Sequence, residues 1–209
     1  MCSSRRWLLA LLPGLLGLFN CGDMLMYRAG KDYFPLVSGS CWTFEPSRVD
    51  SVGSDSTVAG RRATVVFRDF APEFWLKTAT EVRRLIRRTV IRSGREYVLE
   101  EQYGLEYALP LVVGASWAES FRDTVVLLGT DTVMVFDSVS ARVVAAEDIT
   151  TPAGVFFQCY RIDRWRIVQA DTSFAESRTE WLAPGVGVVR VESGGNVSLL
   201  LDYHIGPRQ

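Results

Sequence analysis

The sequence predicts an all-β protein: a single antiparallel β domain, either a sandwich or a strongly curved half-barrel, with at most one or two helices. Three observations predict it. Short runs rich in valine, isoleucine, threonine and aromatic residues recur along the chain at near-regular intervals. Turn-forming Gly, Asp, Ser and Pro clusters separate them. Six tryptophans and eleven phenylalanines supply enough apolar mass for one well-filled core in a chain of 209 residues.

Residues 1–20 read as an export signal. Arg5 and Arg6 form a positive n-region, and Trp7 to Phe19 is an apolar stretch interrupted only by Pro13-Gly14. The stretch is too short for a transmembrane helix, which needs ~20 apolar residues. Leu18-Phe19-Asn20-Cys21 resembles the end of a bacterial lipoprotein signal, with Cys21 as the lipidated residue. Ser4-Arg5-Arg6-Trp7-Leu8-Leu9 also resembles a weak twin-arginine signal, although an ordinary n-region is preferred. Two or more acyl chains on Cys21 hold a protein stably on a membrane. Gly22 follows the cysteine and Asp23 comes one position later, which points to the outer membrane, facing the periplasm.

Residues 21–32 read as a tether and 33–209 as the β domain. Trp42, Phe44 and Val49 fall in a first strand, which Pro46 bends or confines to an edge. Gly53-Ser54-Asp55-Ser56 reads as a turn, and Thr57 to Phe70 as a second strand. Residues 78–92 fit two templates. Val82, Leu85, Ile86 and Val90 sit at helical spacing, while the β-branched content and the Ser93-Gly94 turn favour a strand. Asp123 to Leu128, Thr132 to Phe136 and Ala141 to Ala146 read as short strands, with turns at Gly129-Thr130-Asp131 and Asp137-Ser138. Val155 to Ile162, Arg164 to Gln169, Arg178 to Leu182, Val188 to Glu192 and Val197 to Tyr203 continue the series.

One internal echo is present. Pro35-Leu36-Val37-Ser38-Gly39-Ser40-Cys41-Trp42 matches Pro110-Leu111-Val112-Val113-Gly114-Ala115-Ser116-Trp117. Either the domain has two related halves, 33–107 and 108–209, or one turn-plus-strand device is used twice. Proline and glycine bend the chain into a new strand, and Trp42 and Trp117, with Trp181, anchor strands in the core.

Three segments carry a resemblance to a known family. They are Tyr33-Phe34-Pro35-Leu36 with Gly39 and Trp42, Thr151-Pro152-Ala153-Gly154-Val155-Phe156 with Cys159-Tyr160, and Glu180-Trp181-Leu182-Ala183-Pro184-Gly185-Val186-Gly187-Val188-Val189. Together they resemble a family of bacterial envelope lipoproteins of largely unknown function. The resemblance implies an exported, mostly β domain, with no catalytic residues to carry over. Read as plain structure, Pro152 and Gly154 suit a type I turn. Pro184-Gly185 suits a type II turn, and Gly187 follows it into a strand.

Little in the chain reads as chemistry. His204 is the only histidine, and no G-x-S-x-G nucleophile elbow accompanies it. Cys41, Cys159 and His204 are too few and too scattered for a zinc site. Neither a metal nor any other cofactor is expected. In an oxidising periplasm Cys41 and Cys159 are candidates for a disulfide, and two separate buried thiols are the alternative. Glu100-Glu101 and Glu147-Asp148 read as solvated edges. Arg83, Arg84, Arg87, Arg88, Arg92 and Arg95 read as an exposed face balanced by Glu81 and Glu96. The alternative is contact with phosphate-rich lipid or an acidic partner. The formal net charge is −1, and loss of Arg5 and Arg6 with the signal makes the mature chain more acidic, which disfavours nucleic acid as a partner.

The resulting expectation is a non-catalytic, membrane-anchored envelope lipoprotein that binds a partner protein or scaffolds on the periplasmic side. The alternative is a carrier for a lipid or other apolar ligand in the concave face of the sheet. A carrier requires an apolar cavity of at least ~300 Å³. A scaffold requires a filled core and exposed apolar or aromatic surface.

Overall fold

The computed structural model describes residues 32–128 and 131–206. Cys21 and the signal lie outside the described residues. Twelve strands follow in chain order: β1 (Cys41–Phe44), β2 (Arg48–Val58), β3 (Arg61–Arg68), β4 (Ala71–Lys77), β5 (Glu81–Arg92) and β6 (Arg95–Ala108), then β7 (Ser116–Val126), β8 (Thr132–Thr151), β9 (Gly154–Gln169), β10 (Ser173–Ala183), β11 (Gly187–Ser193) and β12 (Asn196–His204). No helix forms among the described residues.

All twelve join one antiparallel sheet, ordered β6-β5-β4-β3-β2-β1-β12-β11-β10-β9-β8-β7. The first and last strands meet, with Cys41 opposite His204 and Trp42 opposite Tyr203. The consecutive strands β6 and β7 end up at the two edges, and the sheet curls into a nearly closed barrel. Side chains bridge these edges. Leu105 N donates to Glu119 Oε2 at 2.6 Å, Arg83 Nη1 donates to Glu119 Oε1 at 2.9 Å, and Trp117 Nε1 donates to Glu106 O at 3.1 Å. Glu119 thereby satisfies an edge amide that a neighbouring strand would otherwise occupy.

Three local expectations are corrected. Gly53-Ser54-Asp55-Ser56 lies inside β2, where a bulge between Val52 and Asp55 absorbs the extra residue. A Cβ on Gly53 would sit 2.9 Å from the Phe67 ring, so glycine serves close packing here. Asp137-Ser138 is no turn: β8 runs unbroken for 20 residues, and Asp137 is buried. Pro46 divides the expected first strand into β1 and β2. Residues 81–92 are a strand. Their apolar spacing misleads because positions 82, 86 and 90 fit a period of two as well as a helical repeat.

Because successive strands alternate in direction, the turns fall at two ends. One end, the base, carries segment 32–40, the 109–115 connection, the Pro152-Ala153 turn and the Pro184-Gly185 turn. Asp32 is pinned there: its carbonyl accepts from Gly185 N at 2.7 Å and its carboxylate from Lys77 Nζ at 2.5 Å. The main apolar cluster fills the base, with Phe44, Val143, Ile162, Leu182, Val189 and Leu200 almost fully buried. A smaller cluster of Val90, Leu99, Leu127 and Val135 fills the opposite end.

The echoed segments form the same device at the base. Ser40 N donates to Val37 O and Gly39 N to Val52 O, and Val52 N returns to Ser40 O. In the second copy Ala115 N donates to Val112 O and Gly114 N to Val143 O, and Val143 N returns to Ala115 O. Gly39 and Gly114 have φ of 89° and 92°, a conformation costly for any residue with a Cβ.

Candidate functional site

The notable chemistry lies inside the barrel. Along β5 the inward face reads Val82, Arg84, Ile86, Arg88, Val90, because alternate residues of a strand share a face. The arginines of this face are not solvated; they enter two ion-pair systems between the apolar ends.

The larger system crosses seven strands without a break, alternating in sign. Arg48 Nε lies 3.3 Å from Asp50 Oδ1, and Asp50 Oδ2 lies 3.7 Å from Arg68 Nε. Arg68 Nη1 and Arg84 Nη1 share Glu73 Oε1 at 3.5 and 3.3 Å. Arg84 Nε reaches Glu106 Oε1 at 2.9 Å, and Arg164 pairs with the other oxygen of Glu106. Arg164 Nη2 also donates to Glu106 O at 2.6 Å and to Glu180 Oε1 at 3.3 Å. Glu180 Oε2 finally meets Arg178 Nη2 at 3.3 Å. The second system is compact. Arg88 donates to Glu100 at 2.8 Å and to Asp137 at 2.7 Å, and Arg166 forks onto Asp137 at 3.0 and 2.5 Å.

Burial alone would raise the pKa of Glu106, but the Arg164 and Arg84 guanidinium groups, followed by Arg178, hold it at about 2. Glu180 is likewise held down against burial by Arg178 and Arg164. Asp137 is held down by its hydrogen bonds from Arg166 and Arg88. Asp50 goes the other way: burial raises it more than Arg48 and Arg68 lower it. Arg48 is correspondingly lowered by burial and by the neighbouring Arg68 and Arg178 cations, with Asp50 opposing. The system is well compensated around Glu106 and poorly compensated around Arg48.

Two interior cavities adjoin these groups. One, of about 50 Å³, is lined by Arg84, Glu106, Asp137, Arg164, Arg166 and Arg178 among others. The other, of about 80 Å³, combines Arg48, Arg68 and Arg178 with an aromatic wall that includes Phe44 and Trp75.

The residues singled out from the sequence fall mostly at the base, away from this belt. Trp42, Trp117 and Trp181 are buried; Trp42 Nε1 donates to Val186 O at 2.7 Å and Trp181 Nε1 to Glu147 at 2.5 Å. Gly185 has φ of 74°, and Val186 N closes that turn on Ala183 O at 3.2 Å. Pro152 and Gly154 lie in the β8–β9 hairpin, and Pro35 and Pro110 open the two base devices. A Cβ on Gly187, whose φ is 98°, would come 3.5 Å from Pro35 Cδ. Cys41 and Cys159 are thiols, on β1 and β9, with β12, β11 and β10 between them in the sheet. Burial, then Asp148, pushes the Cys159 thiol up to about 12. His204 is exposed at the end of β12. No group of three His, Cys, Asp or Glu residues is placed to hold a metal among the described residues.

Two readings are corrected. Glu100 is no solvated edge but almost wholly buried against Arg88, whereas Glu101, Glu147 and Asp148 are exposed, Glu147 accepting from the Trp181 indole. The arginines of β5 divide between the two faces. Arg84 pairs inward with Glu73 and Glu106, and Arg88 with Glu100 and Asp137. On the other face Arg83 pairs with Glu81 and Glu119, and Arg87 pairs with Glu101 and stays exposed. Arg92 near the strand end pairs with Asp171, and Arg95 at the start of β6 is exposed. Sequence reasoning missed the belt because its acids come from five other strands, β2, β4, β6, β8 and β10. The local signal was the regular alternation of arginine with Val and Ile along β5.

A family model described as DUF3108-like matches residues 123–198, from within β7 to within β12. No curated protein matches the chain. Two solved structures are similar: a presumed lipoprotein from Parabacteroides distasonis, with a TM-score of 0.47, and a presumed exported protein with a YmcC-like fold from Bacteroides fragilis, with a TM-score of 0.44. Each is 12% identical over 83% of this chain and 99% of its own.

Proposed function

We propose that the protein is a non-catalytic lipoprotein of the cell envelope, held by lipid on Cys21 at the periplasmic face of the outer membrane, and that it binds a partner protein through the outer surface of its barrel. The observation that carries the partner reading is a pair of large apolar side chains on the outer face of β9. Trp165 and Ile167 are 48% and 47% exposed. Their cross-strand neighbours are small: Ser140 and Ser177 flank Trp165, and Ser138 and Ala175 flank Ile167. No large side chain stands directly opposite either of them, and a projecting tryptophan with small cross-strand neighbours suits the centre of a protein interface.

The interior argues against catalysis. Each deeply buried carboxylate of the belt is engaged by arginine, and an acid held near 2, as Glu106 is, makes a poor general acid or base near neutral pH. Carriage of a lipid chain has less support than partner binding. The two cavities within the belt, of about 50 and 80 Å³, fall well short of the ~300–1,000 Å³ of typical ligand sites. A larger hollow of about 470 Å³ beside the belt is more open and carries Glu73, Arg84, Arg87, Arg88 and Arg166 in its lining, a poor match for an apolar chain. The anchor rests on the sequence of residues 1–21.

Cross-linking the full chain in its native envelope tests both parts. A discrete cross-linked species is expected, lost in Trp165→Glu, while Cys21→Ser moves the protein from the membrane to the soluble periplasmic fraction. Unchanged cross-linking in Trp165→Glu would sink the partner surface. Unchanged membrane association in Cys21→Ser would sink the anchor.

A further inference from the structure

The larger ion-pair system begins and ends on arginine. In order it runs Arg48, Asp50, Arg68, Glu73, Arg84, Glu106, Arg164, Glu180, Arg178, with each carboxylate bridging the arginines on either side. It therefore carries one positive charge more than it neutralises internally. Its two ends come back together: Arg48 and Arg178 line the same cavity of about 80 Å³, close enough that the Arg178 cation lowers the Arg48 pKa. Arg48 is ion-paired with Asp50 and Arg178 with Glu180, and no carboxylate among the described residues is ion-paired between the two. Arg178 Nε is buried without a hydrogen-bond partner. The ring of alternating charge thus has one gap, flanked by two cations, and the gap opens into a cavity.

We propose that this gap binds a short-chain organic carboxylate. The anion would sit between Arg48 and Arg178, beside Arg68, and its apolar part would lie against Trp75 and Val191, which line the same cavity, while the Arg48 guanidinium itself stacks on the Phe44 ring 3.9 Å from its centroid. Guanidinium groups suit carboxylates because their planar forks match the two oxygens. The two terminal arginines suit a monoanion, with the exposed Asp69 near Arg48 and Glu176 near Arg178 acting on them from outside the ring. The aromatic wall favours a carboxylate with a hydrocarbon body over inorganic phosphate, which requires polar partners on all sides. The volume lies between the ~10–15 Å³ that holds one water and the ~150 Å³ known to hold benzene, so the body is a few carbons long. The site is independent of the anchor and of the outer surface of β9.

Butyrate is the direct probe, with 1-butanol as its uncharged counterpart and inorganic phosphate as the purely polar anion. Trp42 and Trp75 line the cavity and report occupancy by fluorescence, and a ligand that binds only the folded state raises the melting temperature. With the full-length chain, butyrate is expected to give a saturable fluorescence change and a higher melting temperature. 1-Butanol should give no saturable change, and phosphate should bind at least tenfold more weakly. Arg48→Gln should weaken butyrate binding at least tenfold. Val191→Phe, which fills the cavity and keeps every charge, should abolish it, so the test survives if Arg48→Gln fails to fold. The exposed Arg62→Gln control should bind as the parent does. The proposal is overturned by no saturable response to butyrate, by an equal response to 1-butanol, by phosphate binding as tightly as butyrate, or by butyrate binding that persists in Val191→Phe.

Discussion

The base of the barrel and its middle are held by opposite means. At the base, tryptophans, valines and leucines exclude water, and the polar atoms present, such as the indole N–H groups of Trp42 and Trp117, meet backbone carbonyls. In the middle, arginines and carboxylates face inward and neutralise one another across strands far apart in sequence. Apolar packing is non-directional and tolerates adjustment. A buried ion network is satisfied in one arrangement only, and removing a single member strands a charge. The belt's ion pairs link β5 to β4 and β6, and β6 to β9, and are satisfied only while those strands keep their places.

The two regions therefore answer differently to mutation. Arg164→Met leaves both Glu106 and Glu180 without their shared cation, and should cost about 3–5 kcal/mol in urea unfolding. Trp117→Ala at the base removes a buried indole and its bond across the β6–β7 edges, and should also cost about 3–5 kcal/mol. The two variants separate in their pH dependence. Glu106, Glu180 and Asp137 have depressed folded-state values, so their stabilisation is complete above the ordinary carboxylate range and is lost as pH falls through the folded values. For Glu106 the window runs from 4.5 down to about 2. Glu106→Gln should flatten acid unfolding in that window, whereas Trp117→Ala should lower stability by a similar amount at every pH. Asp50 contributes with the opposite sign: its value is raised, so its share of stability declines as pH rises through the folded value. Asp50→Asn should therefore be better tolerated at neutral pH than Glu106→Gln.

Smaller effects mark the limits of the comparison. Gly39→Ala and Gly114→Ala force a Cβ into positive φ and should each cost about 1–2 kcal/mol, with similar values because the two turns share one hydrogen-bond pattern. Arg62→Gln breaks an exposed pair with Asp55, in which the arginine side chain is 80% exposed, and should cost at most about 1 kcal/mol.

The same contrast explains what the sequence could reveal. The all-β class and the base turns were legible because proline, glycine and tryptophan act within a few residues of where they stand. Gly185 closes its own turn, and Gly39 and Gly114 bend their own segments. The belt was not legible because charged residues read as surface unless a partner is known, and Arg84's partners, Glu73 and Glu106, come from the strands on either side. Glu100 and Asp137 show the cost of that habit. One looked like a solvated edge and the other like a turn, yet both meet Arg88 in the interior. Strand β4 was overlooked for a related reason: its Pro72 and Glu73 break the apolar alternation, and Glu73 belongs to the belt.

The most direct test of the account is a double-mutant cycle on Glu106 and Arg164, read by equilibrium urea unfolding at neutral pH. If the belt is an interior, mutually dependent network, Glu106→Gln and Arg164→Met each cost several kcal/mol, and the double variant loses less than their sum by at least ~2 kcal/mol. Two small costs that add to within ~0.5 kcal/mol would show that these groups act as separate, solvated charges, and would contradict the account.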